Sequence, residues 1–371
     1  MLFNKSNRYI FSKANCHCEG AIYPPSFWQK RPKQSLIIEM KARLLRQKTA
    51  RNDSSSKYFK LLFLTTIFIC FASTIATAQL EGTAGAFSRM GFGARGMGMG
   101  NAMSAVKTGE NSGYYNPAAV ALLEQRTASL SYGILAVDRS LNTLFYSMPL
   151  DTNAGLAFGI INSGVSNIDG RDNDGYRTEL YSTSENQFSL SFALRIRKIT
   201  IGVTSKVYYY SLFKELSSIN LGLDFGIIYP LTTNITLAGT LKDVLSKYKW
   251  VTSTLYDQLG NTTTEKFPSR KSIGLSYLLG DNTGLISAEI ENSSVSTTIV
   301  RIGGEYTASE TFTIRAGIDG WNIKHREQAH PSFGFTLYTD YSDWKPSFNY
   351  AYIIEPYAVS SMHVISLSIT P

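Results

Sequence analysis

The chain has 371 residues, a formal net charge of +8 and three cysteines. Such basicity points to nucleic acid or an anionic membrane surface, but the charge is unevenly spread. Residues 1–78 carry +10 (13 Lys+Arg against 3 Asp+Glu) and residues 79–371 carry −2 (23 against 25), so nucleic acid is excluded as a partner. Cys16, Cys18 and Cys70 all precede residue 79, and the body has neither disulfides nor thiol chemistry to offer.

Residues 1–56 are a basic leader, read either as a genuine extension or as the result of a start placed too early, with Met40 opening a shorter candidate. Cys16-His17-Cys18 has no second ligand pair and falls short of a four-ligand metal site. Residues 57–78 read as a signal peptide. Lys57 and Lys60 give a positive n-region, residues 61–71 an apolar core, and Ala76-Thr-Ala78 a cleavage site before Gln79. The apolar run is shorter than the roughly 20 residues of a spanning helix. Ile69 before Cys70 breaks the small-residue pattern of a lipobox.

Residues 79–126 are glycine-rich, too much so for a strong helix, and are read as an N-terminal hatch or plug. Gly91-Phe-Gly-Ala-Arg-Gly96 matches G-x-G-x-x-G, yet the strand before it and the βαβ unit after it that dinucleotide binding requires are missing from the pattern. The candidate hatch motif is instead Gly91, Gly93, Arg95, Gly96, Gly98 and Gly100, followed by Asn116, Pro117 and Ala118. Its glycines let chain segments approach closely inside a lumen. Asn116-Pro117-Ala118 is the expected junction with the first strand.

From Thr127 to the end at residue 371 the dominant period is two. Phe188, Leu190, Phe192 and Leu194 alternate with Ser189, Ser191 and Ala193; Leu221, Leu223 and Phe225 alternate with Gly222 and Asp224. Residues i and i+2 of a strand share a face, so one face is apolar and the other small or polar. The expected fold is an all-β transmembrane outer-membrane β-barrel of about 14 antiparallel strands, an even number as such barrels prefer. The strands are placed at 127–134, 138–148, 153–163, 186–197, 199–211, 218–229, 234–243, 270–279, 284–292, 297–306, 311–320, 331–339, 344–353 and 361–370. Even-numbered connections are tight, for example Arg197–Lys198 and Pro230–Thr233. The odd-numbered ones include the long stretches 164–185, 245–269 and 321–330. Short periplasmic turns with longer extracellular loops give this rhythm, and plentiful Tyr and Phe suit interfacial girdles. Both termini of the barrel chain then face the periplasm.

Arg195, Lys206, Asp224, Lys242, Glu289, Arg301, Glu305, Arg315 and Asp319 fall on the inward register. An Arg or Lys on the lipid face would cost about 2–4 kcal/mol at the midplane, which assigns these side chains to the lumen. Neither sign clusters. A salt-bridge lattice joining barrel and plug is therefore favoured over a polar conduit. Asp169-Gly-Arg-Asp-Asn-Asp-Gly175 lacks the closing glutamate of a calcium loop and reads as a solvated turn. His325, His330 and His363 show no spacing that points to a base beside a nucleophile. No catalytic residue, metal site or cofactor is assigned, and the chain is read as not an enzyme. A hydrolase at the barrel rim is kept as the third alternative.

The run Phe87-Ser-Arg-Met-Gly-Phe-Gly-Ala-Arg-Gly-Met-Gly-Met-Gly-Asn-Ala102 with Tyr115-Asn-Pro-Ala118 resembles the opening of the PorV/PorQ family of FadL-like barrels, whose members carry "IGxGARxxGMGxA" and then "WNPAxL". Tyr115 stands where that family commonly has Trp. The sequence also departs at its end, Ile369-Thr-Pro371, which lacks the terminal aromatic residue of barrel-assembly signals. The resemblance spans about residues 80–371 and implies a hatch-bearing outer-membrane barrel of a Gram-negative bacterium, in contact with outer-membrane lipid. It implies a role in protein export or surface attachment of the type IX secretion kind, with secreted client proteins or secretion-system components as partners. The alternative is a FadL-like channel for a hydrophobic small-molecule ligand.

Overall fold

The computed structural model describes residues 82–213, 216–253, 259–280, 283–322, 329–339, 345–356 and 358–370. The leader, the signal peptide with its cleavage site, all three cysteines, His325 and Pro371 lie outside the described residues. So does the expected turn Asp340–Asp343.

Among the described residues sixteen strands follow one another: β1 (Thr127–Ile134), β2 (Arg139–Asp151), β3 (Ala154–Arg171), β4 (Arg177–Ile196), β5 (Ile199–Phe213), β6 (Leu216–Pro230), β7 (Ile235–Val244), β8 (Lys247–Val251), β9 (Thr262–Lys266), β10 (Arg270–Leu279), β11 (Gly284–Ser293), β12 (Thr298–Ser309), β13 (Phe312–Asn322), β14 (His330–Tyr338), β15 (Lys345–Ile353) and β16 (Met362–Thr370). Fourteen of them close into an antiparallel barrel in sequence order, with β16 pairing β1 at the seam, while β8 and β9 form a separate hairpin. Closure leaves the barrel no edge strand, so the backbone polar groups of its wall pair between neighbouring strands, as a hydrocarbon environment demands.

The wall is inverted relative to a soluble protein. Leu130, Leu190 and Leu221 are 56, 52 and 62 % exposed on the outer face, whereas Ser131, Ser191 and Ser272 on the inner face are buried. Only a lipid solvent makes that arrangement favourable. Exposed Tyr229, Tyr277, Tyr306 and Tyr338 sit near the short-turn ends of their strands, and Tyr132 and Trp321 near the opposite ends. These are the two interfacial girdles. The short-turn end corresponds to the periplasmic end of an outer-membrane barrel.

Two connections differ from the loops expected of them. Residues 164–185 are mostly a continuation of β3 and β4 into a two-stranded ribbon beyond the barrel rim, with pairing as far as Arg171↔Arg177. Above the membrane neither face need be apolar, so the period-two signal that marks a spanning strand fades there. At the tip, Asp172 Oδ1 accepts from the N–H groups of Asp174 and Tyr176 at 3.0 and 2.9 Å. Asp169 is held by Arg177 at 3.1 Å and Arg171 at 3.7 Å. Residues 245–269 contain the β8–β9 hairpin, whose Tyr248 and Trp250 are buried while Lys247, Lys249 and Val251 point outward. Strands of five residues are too short for alternation to stand out in the sequence.

Candidate functional site: a hatch clamped inside the barrel

The segment from Gly82 to β1 occupies the lumen. Its described start lies in the extracellular half, not at the periplasmic mouth: Phe87 meets Tyr208 edge-on at 6.3 Å, and a side chain on Gly85 would overlap the Phe267 ring. From there the chain descends and delivers β1 to the periplasmic end. A short helix, Ala94–Gly98, lies against β13 to β16, and the 3-10 turn Pro117–Leu122 lies against β2 to β6. The hatch thus spans the lumen from one side of the wall to the other.

The motif glycines mark points of contact. Gly91 and Gly93 adopt left-handed φ values of 91° and 78°, with the side chains of Asn101 and Asn111 packed where a Cβ would stand. Gly96 abuts the Tyr115 ring, Gly98 the aliphatic stem of Arg315, and Gly100 the backbone of Ile318. The wall answers in kind. Side chains added at Gly155, Gly226 or Gly303 would overlap Val120, Asn116 or Met99 of the hatch. The Asn116-Pro117-Ala118 box caps its own turn: Asn116 Oδ1 accepts from Ala118 N–H at 3.0 Å with Pro117 at the first position. Asn116 Nδ2 donates to Ser104 O within the hatch at 2.8 Å and to Ile227 O of β6 at 3.3 Å. The Tyr115 hydroxyl lies 2.7 Å from Asn101 Oδ1 and 3.0 Å from Phe92 O, so it ties three hatch segments together.

Arg95 makes a two-pronged contact with Glu305 of β12, Nε–Oε2 and Nη2–Oε1 both at 2.9 Å, and its Nη1 donates to Thr108 O at 2.5 Å. Glu305 Oε2 also lies 3.3 Å from Arg315 Nε. Arg315 donates through Nη2 to Thr336. A second and larger cluster sits higher. Lys206 bridges Asp224 at 2.6 Å and Asp243 at 3.1 Å; Asp243 takes Arg270 at 2.8 Å and the Tyr208 hydroxyl at 2.8 Å. Glu291 joins Arg270 at 3.5 Å to Arg301 at 3.3 Å, and Arg301 goes on to Glu289 at 3.2 Å and Asp319 at 2.7 Å. The hatch plugs into it directly: Asn101 Nδ2 donates to Asp319 at 2.6 Å and Ser104 N–H to Glu289 at 3.1 Å. Lys242 stands 4.8 Å over the Tyr114 ring and 5.7 Å from that of Tyr115, in a cation–π arrangement. Most of these buried charges have partners of opposite sign or hydrogen bonds, which offsets the cost of burying them.

Of the nine charges expected in the lumen, seven belong to these two ion clusters, and Lys242 stands beside the upper one over the Tyr114 and Tyr115 rings. Arg195 keeps the inward register but stands exposed at the periplasmic rim, where Nη2 donates to Thr152 O at 2.8 Å and Nε to Asn153 Oδ1 at 3.1 Å. The lattice also recruits Asp243, Arg270 and Glu291. Arg270 and Glu291 share the inward register of Ser272 and Glu289, so parity alone would have found them. Asp243 breaks parity. A bulge opposite Asp224 turns both Lys242 and Asp243 inward, with Asp243 at φ 58°. A second bulge between Val300 and Ile302 accompanies Asp319 and Gly320, the latter at φ 69°.

Glu110 is a further buried charge that periodicity could not reveal, because it lies in the aperiodic hatch. It is 7 % exposed and neither carboxyl oxygen has a hydrogen-bond partner. Burial pushes it up to about 7, against the pull of Arg315 and Arg95. It borders a cavity of about 460 Å³ at the periplasmic mouth, enclosed by Arg95, Thr108, Leu122, Leu123 and Glu124 and by the ends of β12 and β14 to β16. On the opposite side of the hatch, a void of about 10 Å³ between Asn111–Gly113 and β2 to β4 has room for about one water.

The extracellular end of the lumen is aromatic. Tyr210, Tyr248 and Trp250 gather with centroids 5.2–5.5 Å apart, and Phe267 stands 4.8 Å from both Tyr208 and Tyr248. The hairpin β8–β9 brings Tyr248 and Trp250 there. As for the histidines, His363 Nδ1 bonds the Tyr350 hydroxyl at 2.8 Å and His330 opens β14 opposite Asp319.

No family model matches the sequence, and no curated protein is similar to it. Solved structures do match. The Pseudomonas putida toluene transporter TodX superposes with a TM-score of 0.54 at 13% identity, covering 76% of this chain and 96% of that one. The monoaromatic hydrocarbon channel CymD gives 0.55 at 14%, covering 76% and 97%. A Pseudomonas aeruginosa FadL homologue gives 0.51 at 12%, covering 75% and 97%. At these identities the likeness is one of fold: a FadL-like outer-membrane barrel, a class that includes a transporter and a channel. The resemblance of the front motif to the PorV/PorQ family rests on the motif residues alone.

Proposed function

We propose that the protein is a FadL-like outer-membrane channel for hydrophobic small molecules, with residues 79–126 as its plug and residues 127–371 as its barrel. The observation that carries this reading is the combination of a lipid-facing closed barrel, a hatch across its lumen and a likeness in fold to hydrocarbon channels. The aromatic cluster above the hatch adds the chemistry. Tyr208, Tyr210, Tyr248, Trp250 and Phe267 pack there on one another, ring surface of the kind that takes a small apolar solute out of water once it parts. Below the cluster, the ion lattice and the wall glycines grip the hatch, so passage requires part of it to move.

The test is uptake. Proteoliposomes or a deletion strain complemented with the gene should take up a small aromatic hydrocarbon faster than the control. Trp250→Ala should slow uptake while leaving the barrel assembled. Equal uptake with and without the protein would remove the proposal.

A second reading draws on the hatch motif itself, Phe87–Ala102 with Tyr115–Ala118, and its similarity to PorV/PorQ proteins. There the barrel assists protein export or surface attachment, and the β3–β4 ribbon and the β8–β9 hairpin would meet the client. An unaltered set of secreted proteins in the deletion strain counts against it.

A further inference from the structure

The lower cluster contains two incomplete groups that complement each other. Glu110 offers two carboxyl oxygens with no donor; Arg315 is 4 % exposed and its Nε and Nη1 have no acceptor in hydrogen-bond geometry. Arg315 is also the opposite charge that acts most strongly on Glu110, ahead of Arg95. Unsatisfied buried groups are rare and costly, and here two acceptors without a donor feel an arginine whose Nη1 has no acceptor and whose Nε has only the 3.3 Å ion contact to Glu305.

We propose that Glu110 and Arg315 are the two halves of a latent hatch-to-wall salt bridge, and that loss of the Glu110 proton makes the loop Lys107–Asn111 reseat to form it. With its proton on, Glu110 is a neutral acid that tolerates an unpaired buried position. Ionisation releases that proton to water in the periplasmic cavity and leaves a carboxylate that cannot stay unpaired. Arg95 is unavailable, since Glu305 and Thr108 O already hold it. Arg315 has donors to spare. Pairing converts the chain Arg95–Glu305–Arg315 into two separate pairs, Arg95–Glu305 and Arg315–Glu110. Gly109, at φ 107°, gives the loop a pivot, and the cavity gives it room.

The charged groups facing Glu110 are Arg95 from the hatch, Glu305 from β12 and Arg315 from β13; Glu124 and Tyr338 lie across the cavity. Burial outweighs the two arginines and holds Glu110 near 7, so the exchange falls close to neutrality. A raised carboxyl value means the present seating is favoured at low pH and is lost as pH rises through that value. The device concerns hatch position and does not depend on what the channel carries.

The test uses the full chain in detergent or liposomes. Infrared difference spectra between the protein and Glu110→Gln should contain a protonated-carboxyl band that disappears between about pH 6 and pH 8. Arg315→Gln should move that loss to higher pH by about one unit or more, since an opposite charge is removed. Arg315→Lys, which keeps the charge if the glutamine variant fails to assemble, should leave it in place. Movement is read at Thr108→Cys, with no other cysteine in residues 79–371. The maleimide labelling rate with Glu110 present, divided by that in Glu110→Gln, should be near unity at low pH and several-fold different at high pH. A carboxyl band indifferent to Glu110→Gln, a titration indifferent to Arg315→Gln, or a labelling ratio that stays at unity would each overturn the proposal.

Discussion

The hatch is held by two ion clusters that differ in completeness. In the upper one, Lys206, Asp224, Asp243, Arg270, Glu291, Arg301, Glu289 and Asp319 each have at least one partner of opposite sign, and most have two. The lower one leaves Glu110 without a partner and Arg315 with idle donors. A fully paired buried network specifies one arrangement, because any displacement strands several charges together. An incompletely paired one has an alternative close by. The upper cluster reads as a fixed anchor and the lower as the place where the hatch can change its seat.

This contrast can be broken most severely at its best-connected member. Asp243→Ala strands Lys206, Tyr208 and Arg270 together and should destabilise the barrel by about 3–5 kcal/mol, measured as a fall in thermal unfolding temperature in detergent. An unchanged midpoint would show the upper cluster to be dispensable. Leu190→Arg on the lipid face should cost about 2–4 kcal/mol in urea-driven unfolding from bilayers, without loosening the hatch. Arg95→Ala removes charged hydrogen bonds of about 1.5–3 kcal/mol. It should raise hydrogen exchange across residues 94–110 while the wall strands keep their protection. If the wall and hatch exchange together, the two are one unit and the contrast fails. Glu110→Gln should have the smallest effect. It should leave stability unchanged at low pH and, because the raised carboxyl loses its stabilising proton as pH climbs past about 7, render the protein relatively more stable than its parent above neutrality.

The spanning strands were legible because lipid outside and a polar interior force strict alternation, as in Phe188–Leu194. Where the lipid ends, so does that constraint. The β3–β4 ribbon has polar and charged residues on both faces and reads as a loop, and Lys247–Val251 is too short to be heard over its surroundings. Lumen charges followed from parity at Lys206, Glu289 and Arg301. Asp243 escaped because its bulge shifts the register by one residue, and Glu110 because a chain with no repeat has no face to count. The clamp formed by Arg95 and Glu305 links residues 210 positions apart, a distance over which neither motif nor period carries information.

The glycines along the inner wall bear on how the molecule is assembled. Where Gly155, Gly226 and Gly303 stand, hatch atoms fill the space of an absent side chain. The seam strand β16 bonds the hatch through Ser366 Oγ, which accepts from Ala94 N–H at 2.8 Å. A chain fitted this closely to wall and seam is expected to be seated while β1 and β16 are still apart, the plug serving as the mandrel on which the barrel is wound.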